Sequence, residues 1–227
     1  MRAEERENHR YSKGAQNPID KPEELMFSLL PSGSQKKLLD IGCGIGTIAL
    51  ELQKRGFQVT GVDFSEVAIK KCRQQGLDAI VSDVDKDGLR FSDNSFDVVW
   101  AGDVIEHVFD PIFLFEETHR VLKNDGCFLM TVPNDFYLHK RWKIFLSGKS
   151  IQSGVYRKLR QCKHHTFFSW ELLEFRLNES KLSIDRYLSI YGARRKKTRK
   201  VTSNKVIGRL FGRKFIICAH KSLSSTK

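Results

Sequence analysis

The chain has 227 residues, 40% of them hydrophobic and 29% charged, with a formal net charge of +12. That length suits one α/β domain with a small addition and is enough to bury a full core. No apolar run reaches the ~18 residues of a membrane span, and the opening MRAEERENHR lacks the apolar stretch of a secretory signal.

Residues 1–20 read as an N-terminal extension, and 21–227 as a single domain. The runs KLLDI and QVTGVD predict two strands. Between them Ile48, Ala49 and Leu52 sit at helical spacing, and Gly56 stops that helix. A second helix, Glu66 to Gln75, follows the N-cap Ser65, and DAIVSD predicts the third strand. The nearly continuous apolar run SFDVVWAGD predicts a fourth strand, of the kind covered on both faces of a parallel sheet. A helix from about Pro111 to Leu122, the turn KNDG and a fifth strand, CFLMTVP, complete the alternation. Strands and helices in this order specify a doubly wound, mostly parallel α/β sheet. Residues 134–168 are basic and aromatic without a clean strand and read as a lid insertion. Order returns with a helix over Trp170–Glu179, capped by Ser169, and two last strands, LSIDRYLSI and KFIICAHK, at an antiparallel edge. The basic segment 192–214 lies between them. Its first half is too charged to pack, and its second half sets Val206, Ile207, Leu210 and Phe211 on one face of a short basic helix.

The charge is unevenly placed. Residues 191–227 hold twelve Lys and Arg and no acid, and 136–165 hold eight and no acid, so the front of the chain is net acidic. Two readings stand: a solvated basic surface, or segments that face an anionic small molecule or a membrane surface. Five cysteines (Cys43, Cys72, Cys127, Cys162, Cys218) are scattered with no CxxC or Cys/His cluster. They indicate neither a disulfide framework nor a metal site, and a reducing cytoplasm is the expected home.

The turn after the first strand, Asp40-Ile-Gly42-Cys-Gly44-Ile-Gly46, carries the function. Its glycines let the backbone fold sharply against a ligand, and Asp63, 19 residues beyond Gly44, suits vicinal ribose hydroxyls. The dinucleotide fingerprint is GxGxxG, whereas here Gly46 follows Gly44 by only two residues. Asp40, just before the glycines, would repel a pyrophosphate but suits an ammonium or sulfonium. The pattern therefore favours S-adenosylmethionine over a nicotinamide cofactor.

At LLDIGCGIG, VTGVDFS, VSDVDKDGLRFSDNSFDVVWAGDVIEHVFDP and VLKNDGCFLMTVPN the chain resembles the class I S-adenosylmethionine-dependent methyltransferases, closely over about 36–134. HHTFFSWELLEFRL is similar to a downstream element of one branch. That branch holds quinone-biosynthesis, methionine-biosynthesis-associated and polysaccharide-cluster methyltransferases. The resemblance implies a seven-stranded Rossmann-like fold. It implies that Gly42, Cys43 and Gly44 lie against the methionine part of the cofactor with Asp40 nearby. It further implies Asp63 on the ribose, Phe64 beside the adenine, Asp83 and Val84 at the adenine edge, and Gly102 and Asp103 near the methyl group. The plainer alternative for these acids is helix capping.

Transfer to a hydroxyl also needs a base. His107, in DVIEHVFDP, is the first candidate; His164 and His165 together are the second, with His165 the weaker candidate named, and His139 is the third. The alternative is that Glu106 and His107 brace the next helix. Asn134, Tyr137, Arg141 and Trp142, with Phe136 and Tyr156, are the expected acceptor residues of the lid. The leading expectation is methyl transfer to a hydroxyl of a sugar-, lipid- or quinone-type, anionic small molecule. An RNA methyltransferase is the second reading, suggested by the basic tail, but no RNA-binding module and no NPPY-type motif is present. A non-catalytic binding module is the third, and the intact glycine turn and Asp63 argue against it.

Overall fold

The structure, a computed structural model, describes residues 3–13, 19–32, 35–147, 164–192 and 199–222. Tyr156 and the most basic part of the lid and of the second basic segment lie outside the described residues. Eight strands form one sheet in the order β3-β2-β1-β4-β5-β8-β6-β7. They are β1 (Lys37–Ile41), β2 (Gln58–Asp63), β3 (Asp78–Val81), β4 (Phe96–Gly102), β5 (Leu122–Pro133), β6 (Leu182–Gly192), β7 (Arg199–Thr202) and β8 (Gly212–Lys221). The first five are parallel, while β8 is antiparallel to both β5 and β6.

The central strands are apolar on both faces. Leu39, Val99, Phe128 and Ile217 belong to one core with Phe115 and Trp170, while Leu38, Val98, Leu129 and Ile216 belong to another with Met26 and Leu52. Adjacent strand residues point to opposite faces, so a strand apolar at every position has to be covered twice. Helices α2 (Lys21–Phe27), α3 (Thr47–Lys54) and α4 (Glu66–Gln74) supply residues to one core, and α6 (Pro111–Val121) and α8 (Trp170–Glu179) to the other. Ser65 caps α4 through the Ala68 N–H and Ser169 caps α8 through the Leu172 N–H, as their positions predicted.

Three features differ from expectation. The sheet has eight strands rather than seven, because Arg199–Thr202, in the segment read as too charged to pack, pairs along Ser189–Gly192. An edge strand packs few side chains, so its charge is tolerated there. The KNDG turn is absorbed into the start of β5, where the register with β4 slips between Leu122 and Cys127. The N-terminal extension is docked. Helix α1 (Ala3–Ser12) packs on α4, burying Tyr11, with Asn8 Oδ1 accepting from Ser65 Oγ at 2.6 Å. Among the described residues no helix is long and apolar enough to cross a membrane.

Candidate active site

The strand order reverses direction at β1, which lies between β2 and β4. Ligands of open α/β sheets bind at that switch point, beyond the carboxyl ends of the strands. The glycine turn stands there. Gly42 has φ +71°, and a Cβ on it would come 2.5 Å from Val104 Cγ2; Gly46, at the N-cap of α3, has φ +85°. Only glycine fits both demands. Cys43 turns inward, with its sulfur 2.8 Å from where a Cβ on Gly61 would be, so only its backbone can face a ligand. The one-carbon gap at Gly61 therefore belongs to the turn, a pairing that strand patterning alone does not reveal.

Asp63 ends β2 and ties the turn down. Its Oδ2 accepts from the Gly44 N–H and its Oδ1 from the Ser65 N–H, both at 2.9 Å. Burial raises its pKa, and these two backbone donors pull against that. Asp40 is buried at the end of β1, and its Oδ2 has no hydrogen-bond partner. Burial, and then the nearby Asp63, push Asp40 up to about 8. An orphaned carboxylate oxygen beside the glycine turn fits the positively charged end of S-adenosylmethionine, and Asp63 retains lone pairs for hydroxyl donors. Phe64 is half-buried beside it. Asp83 has turned out as a cap, accepting from the Asp85 N–H at 3.2 Å and pairing with Lys86 at 2.5 Å, ahead of α5 (Val84–Asp87). Val84 packs against the core.

Beyond β4, Gly102 leads into Asp103, whose φ of +55° is rare for a residue with a side chain. Thr131 Oγ1 donates to Asp103 Oδ1 at 2.7 Å, and Lys214 of β8 pairs with both carboxylate oxygens. The lysine comes from 111 residues away, and nothing in the sequence links the two.

A 3-10 turn, Ile105–His107, follows and buries Glu106. The Glu106 carbonyl accepts from the N–H groups of His165 and Thr166, at 2.8 and 3.3 Å, which pins the end of the lid across the site. As a result His107 and His164 meet edge to face, 4.9 Å between centroids, each with Nε2 3.9 Å from Glu106 Oε1. The donor atoms of these three residues all lie within 4.8 Å of one another. Burial, then Asp103, raises Glu106 to about 8, and burial followed by His107 lowers His164, so His164 is neutral near pH 7. His165 is instead exposed and stacks on Phe109 at 4.1 Å. The second histidine at the site is therefore His164 and not His165. The doublet HHT could not say which one faces inward, because the choice rests on the backbone bonds to Glu106.

The expected acceptor residues divide as well. Tyr137 lines a cavity of about 300 Å³ with Lys140, Tyr191, Arg199, Arg213 and Lys214. Asn134 does not reach it. Its amide donates to the carbonyls of Arg209 and Gly212 at 3.0 and 2.9 Å, and its oxygen accepts from the Phe136 N–H. Asn134 is thus a clamp between β5 and the start of β8. Arg141 Nε bonds the Phe136 carbonyl, and Trp142, 54% exposed, packs on Phe145 at the outer face of α7 (Leu138–Ser147). His139 stacks on Tyr137 with centroids 6.3 Å apart. Asn134→Ala should leave two carbonyls unpaired and lower stability by about 2 kcal/mol, a drop in Tm readable by calorimetry.

Comparison with known proteins agrees with the fold. Residues 39–130 match the family described as a methyltransferase domain. That segment is a methyltransferase domain, similar to those of the class I S-adenosylmethionine-dependent methyltransferases. A ubiquinone biosynthesis O-methyltransferase of Histophilus somni is 29% identical, over 51% of this chain and 51% of its own. One of Actinobacillus pleuropneumoniae is 26% identical over 64% and 68%. The chain thus spans roughly half to two thirds of these curated relatives. Among solved structures, a SAM-dependent methyltransferase of Thermotoga maritima is 21% identical with a TM-score of 0.66, covering 88% of each chain. One of Mesorhizobium loti is 18% identical with a TM-score of 0.64, covering 92% of this chain and 99% of its own. The structures share the fold. The family's cofactor is S-adenosylmethionine, and the acids and glycines at the switch point fit it.

Proposed function

We propose that this protein transfers a methyl group from S-adenosylmethionine to a hydroxyl of an anionic small molecule, a sugar-, lipid- or quinone-type intermediate. The observation that carries the reading is the cavity beside the Asp103–Lys214 pair, where Lys140, Arg199 and Arg213 outnumber the one lining acid, Asp20, which pairs with Arg199 at 3.4 Å. The cofactor supplies the methyl group and the sulfur leaving group. The chain's own part is to bind, align and deprotonate. Arg213 holds the acceptor's phosphate or carboxylate, with the Asp20-paired Arg199 beside it, and Tyr137 gives it an apolar wall. His107 or His164 takes the hydroxyl proton, with Glu106, protonated near neutrality, behind them.

A lipid-linked acceptor draws support from the outer surface. Helix α7 contacts α9 (Lys205–Phe211), and the two expose Trp142, Phe145, Leu146, Val206 and Phe211 among lysines and arginines. Apolar tips in a basic setting suit an anionic membrane surface.

The test is direct. Calorimetry should detect binding of S-adenosylhomocysteine, and radiolabelled donor should label one member of a pool of nucleotide sugars, lipid diphosphates and quinone precursors. With that acceptor, Arg213→Gln should raise KM about tenfold and leave kcat near wild type. His107→Ala and His164→Ala should each be assayed across pH. The base is the residue whose loss lowers kcat by about 10²–10⁴ and removes the acid limb of the profile. Labelling of RNA alone would replace this reading with the nucleic-acid one.

A further inference from the structure

Three strands gather a second group of chemically capable side chains, which methyl transfer does not use. In β8, Cys218 and His220 are two residues apart and so share a face, and Cys127 of β5 stands opposite His220. On the other side β8 pairs with β6, whose register shifts between Ile184 and Arg186. Asp185 is the extra residue of that bulge, and a bulge re-aims a side chain. The Asp185 Oδ2 is brought to 3.5 Å from His220 Nε2, and Cys218 Sγ lies 3.6 Å from the same nitrogen. The other ring nitrogen, Nδ1, is 2.9 Å from the Gly126 carbonyl oxygen. A carbonyl can only accept, so Nδ1 carries the proton and donates. In the neutral ring that leaves the Nε2 lone pair aimed at the thiol and the carboxylate. The same orientation of a histidine by a backbone carbonyl is what metal-ligating histidines commonly have.

We propose that Asp185, Cys218 and His220 form a zinc site that fastens β6 to β8. A tetrahedral zinc with ligand distances of about 2.3 Å to sulfur and about 2.0–2.1 Å to nitrogen or oxygen sets its donors about 3.5 Å (S to N) and about 3.4 Å (N to O) apart. The separations here are 3.6 and 3.5 Å, and all three donor atoms lie within 4.8 Å of one another. Thiolate, imidazole and carboxylate together suit zinc and not magnesium or calcium. Two anionic ligands balance the ion's charge. Cys218 is buried and interacts with the Cys127 thiol, while Asp185 is exposed; water completes the fourth position of the proposed site. Arg186 Nη2, held by the Leu29 carbonyl at 2.8 Å, reaches Cys218 Sγ at 3.5 Å and supports the thiolate. The site is remote from the cofactor end. Lys214, which pairs with Asp103, is six residues along β8 from His220, about 20 Å at the rise of a strand. Its role is to hold the antiparallel edge. No motif announces it, because the ligands come from two strands more than thirty residues apart.

Cobalt(II) added to the chelator-treated full chain reads the site without reference to methyl transfer. One equivalent should bind with d–d bands of tetrahedral intensity and a sulfur-to-cobalt charge-transfer band in the near ultraviolet. Zinc should displace it and raise Tm. Asp185→Asn, at an exposed position, and His220→Ala should each weaken binding at least tenfold and diminish the sulfur band. His164→Ala should leave that band intact, since the Glu106 group offers no sulfur. Absence of the sulfur band at one equivalent, or its persistence in both Asp185→Asn and His220→Ala, overturns the proposal. The three groups are then a hydrogen-bonded charge cluster that holds itself together without metal.

Discussion

Asp63→Ala is expected to weaken S-adenosylhomocysteine binding at least about 100-fold. The carboxylate has two roles that fail together. It accepts the N–H groups of Gly44 and Ser65, joining the glycine turn to the entrance of α4, and it is the acid expected to take vicinal hydroxyls. A hydrogen bond to a charged group contributes about 1.5–3 kcal/mol, so losing two toward the ligand costs at least about 3 kcal/mol of binding. The stranded amide N–H groups cost about 1–3 kcal/mol each in stability. Asp63→Asn does not rescue the site, because its amide nitrogen must face one of those donors. Titration calorimetry at constant pH checks both variants. A loss below tenfold would remove Asp63 from the cofactor site.

The second large effect concerns Asp40, and it separates stability from binding. With no partner for Oδ2 and a pKa pushed by burial from the usual carboxylate range up to about 8, Asp40 is protonated in the ligand-free protein at neutral pH. The sign follows from linkage. Between about pH 4 and about pH 8 the folded chain holds a proton that the unfolded chain has released, so stability falls as pH rises through that window. One carboxyl contributes up to about 1.4 kcal/mol per pH unit. Glu106, also raised to about 8, adds a slope of the same sign. Asp40→Asn removes one of the two. The variant should match wild type near pH 4 and exceed it in Tm near pH 8, while binding the cationic donor about tenfold more weakly at the higher pH. Thermal melts and calorimetry across pH decide it. A variant with wild-type pH dependence in both would show that Asp40 is paired in solution.

Legibility in the sequence tracked the range of the forces involved. The parallel strands, the caps Ser65 and Ser169, the short basic helix and the glycine turn were readable because each depends on neighbours a few residues away. Periodicity, capping and backbone freedom are local properties. Asp63 was readable too, since a βαβ unit returns the chain to the turn after a nearly constant length.

What the amino-acid order determined by itself was therefore the glycine turn with Asp40 and Asp63 beside it, and the sheet that carries them. Tertiary structure alone decided the rest. It chose His164 over His165 through the Glu106 carbonyl, assigned Lys214 to Asp103, turned Asn134 into a clamp and brought Asp185 to His220. Each of these joins segments far apart in the chain, and no sequence spacing encodes such a contact. For the last three, the register of β6 and β8 against β5, set by how their apolar faces pack into two cores, brings the groups within reach of one another.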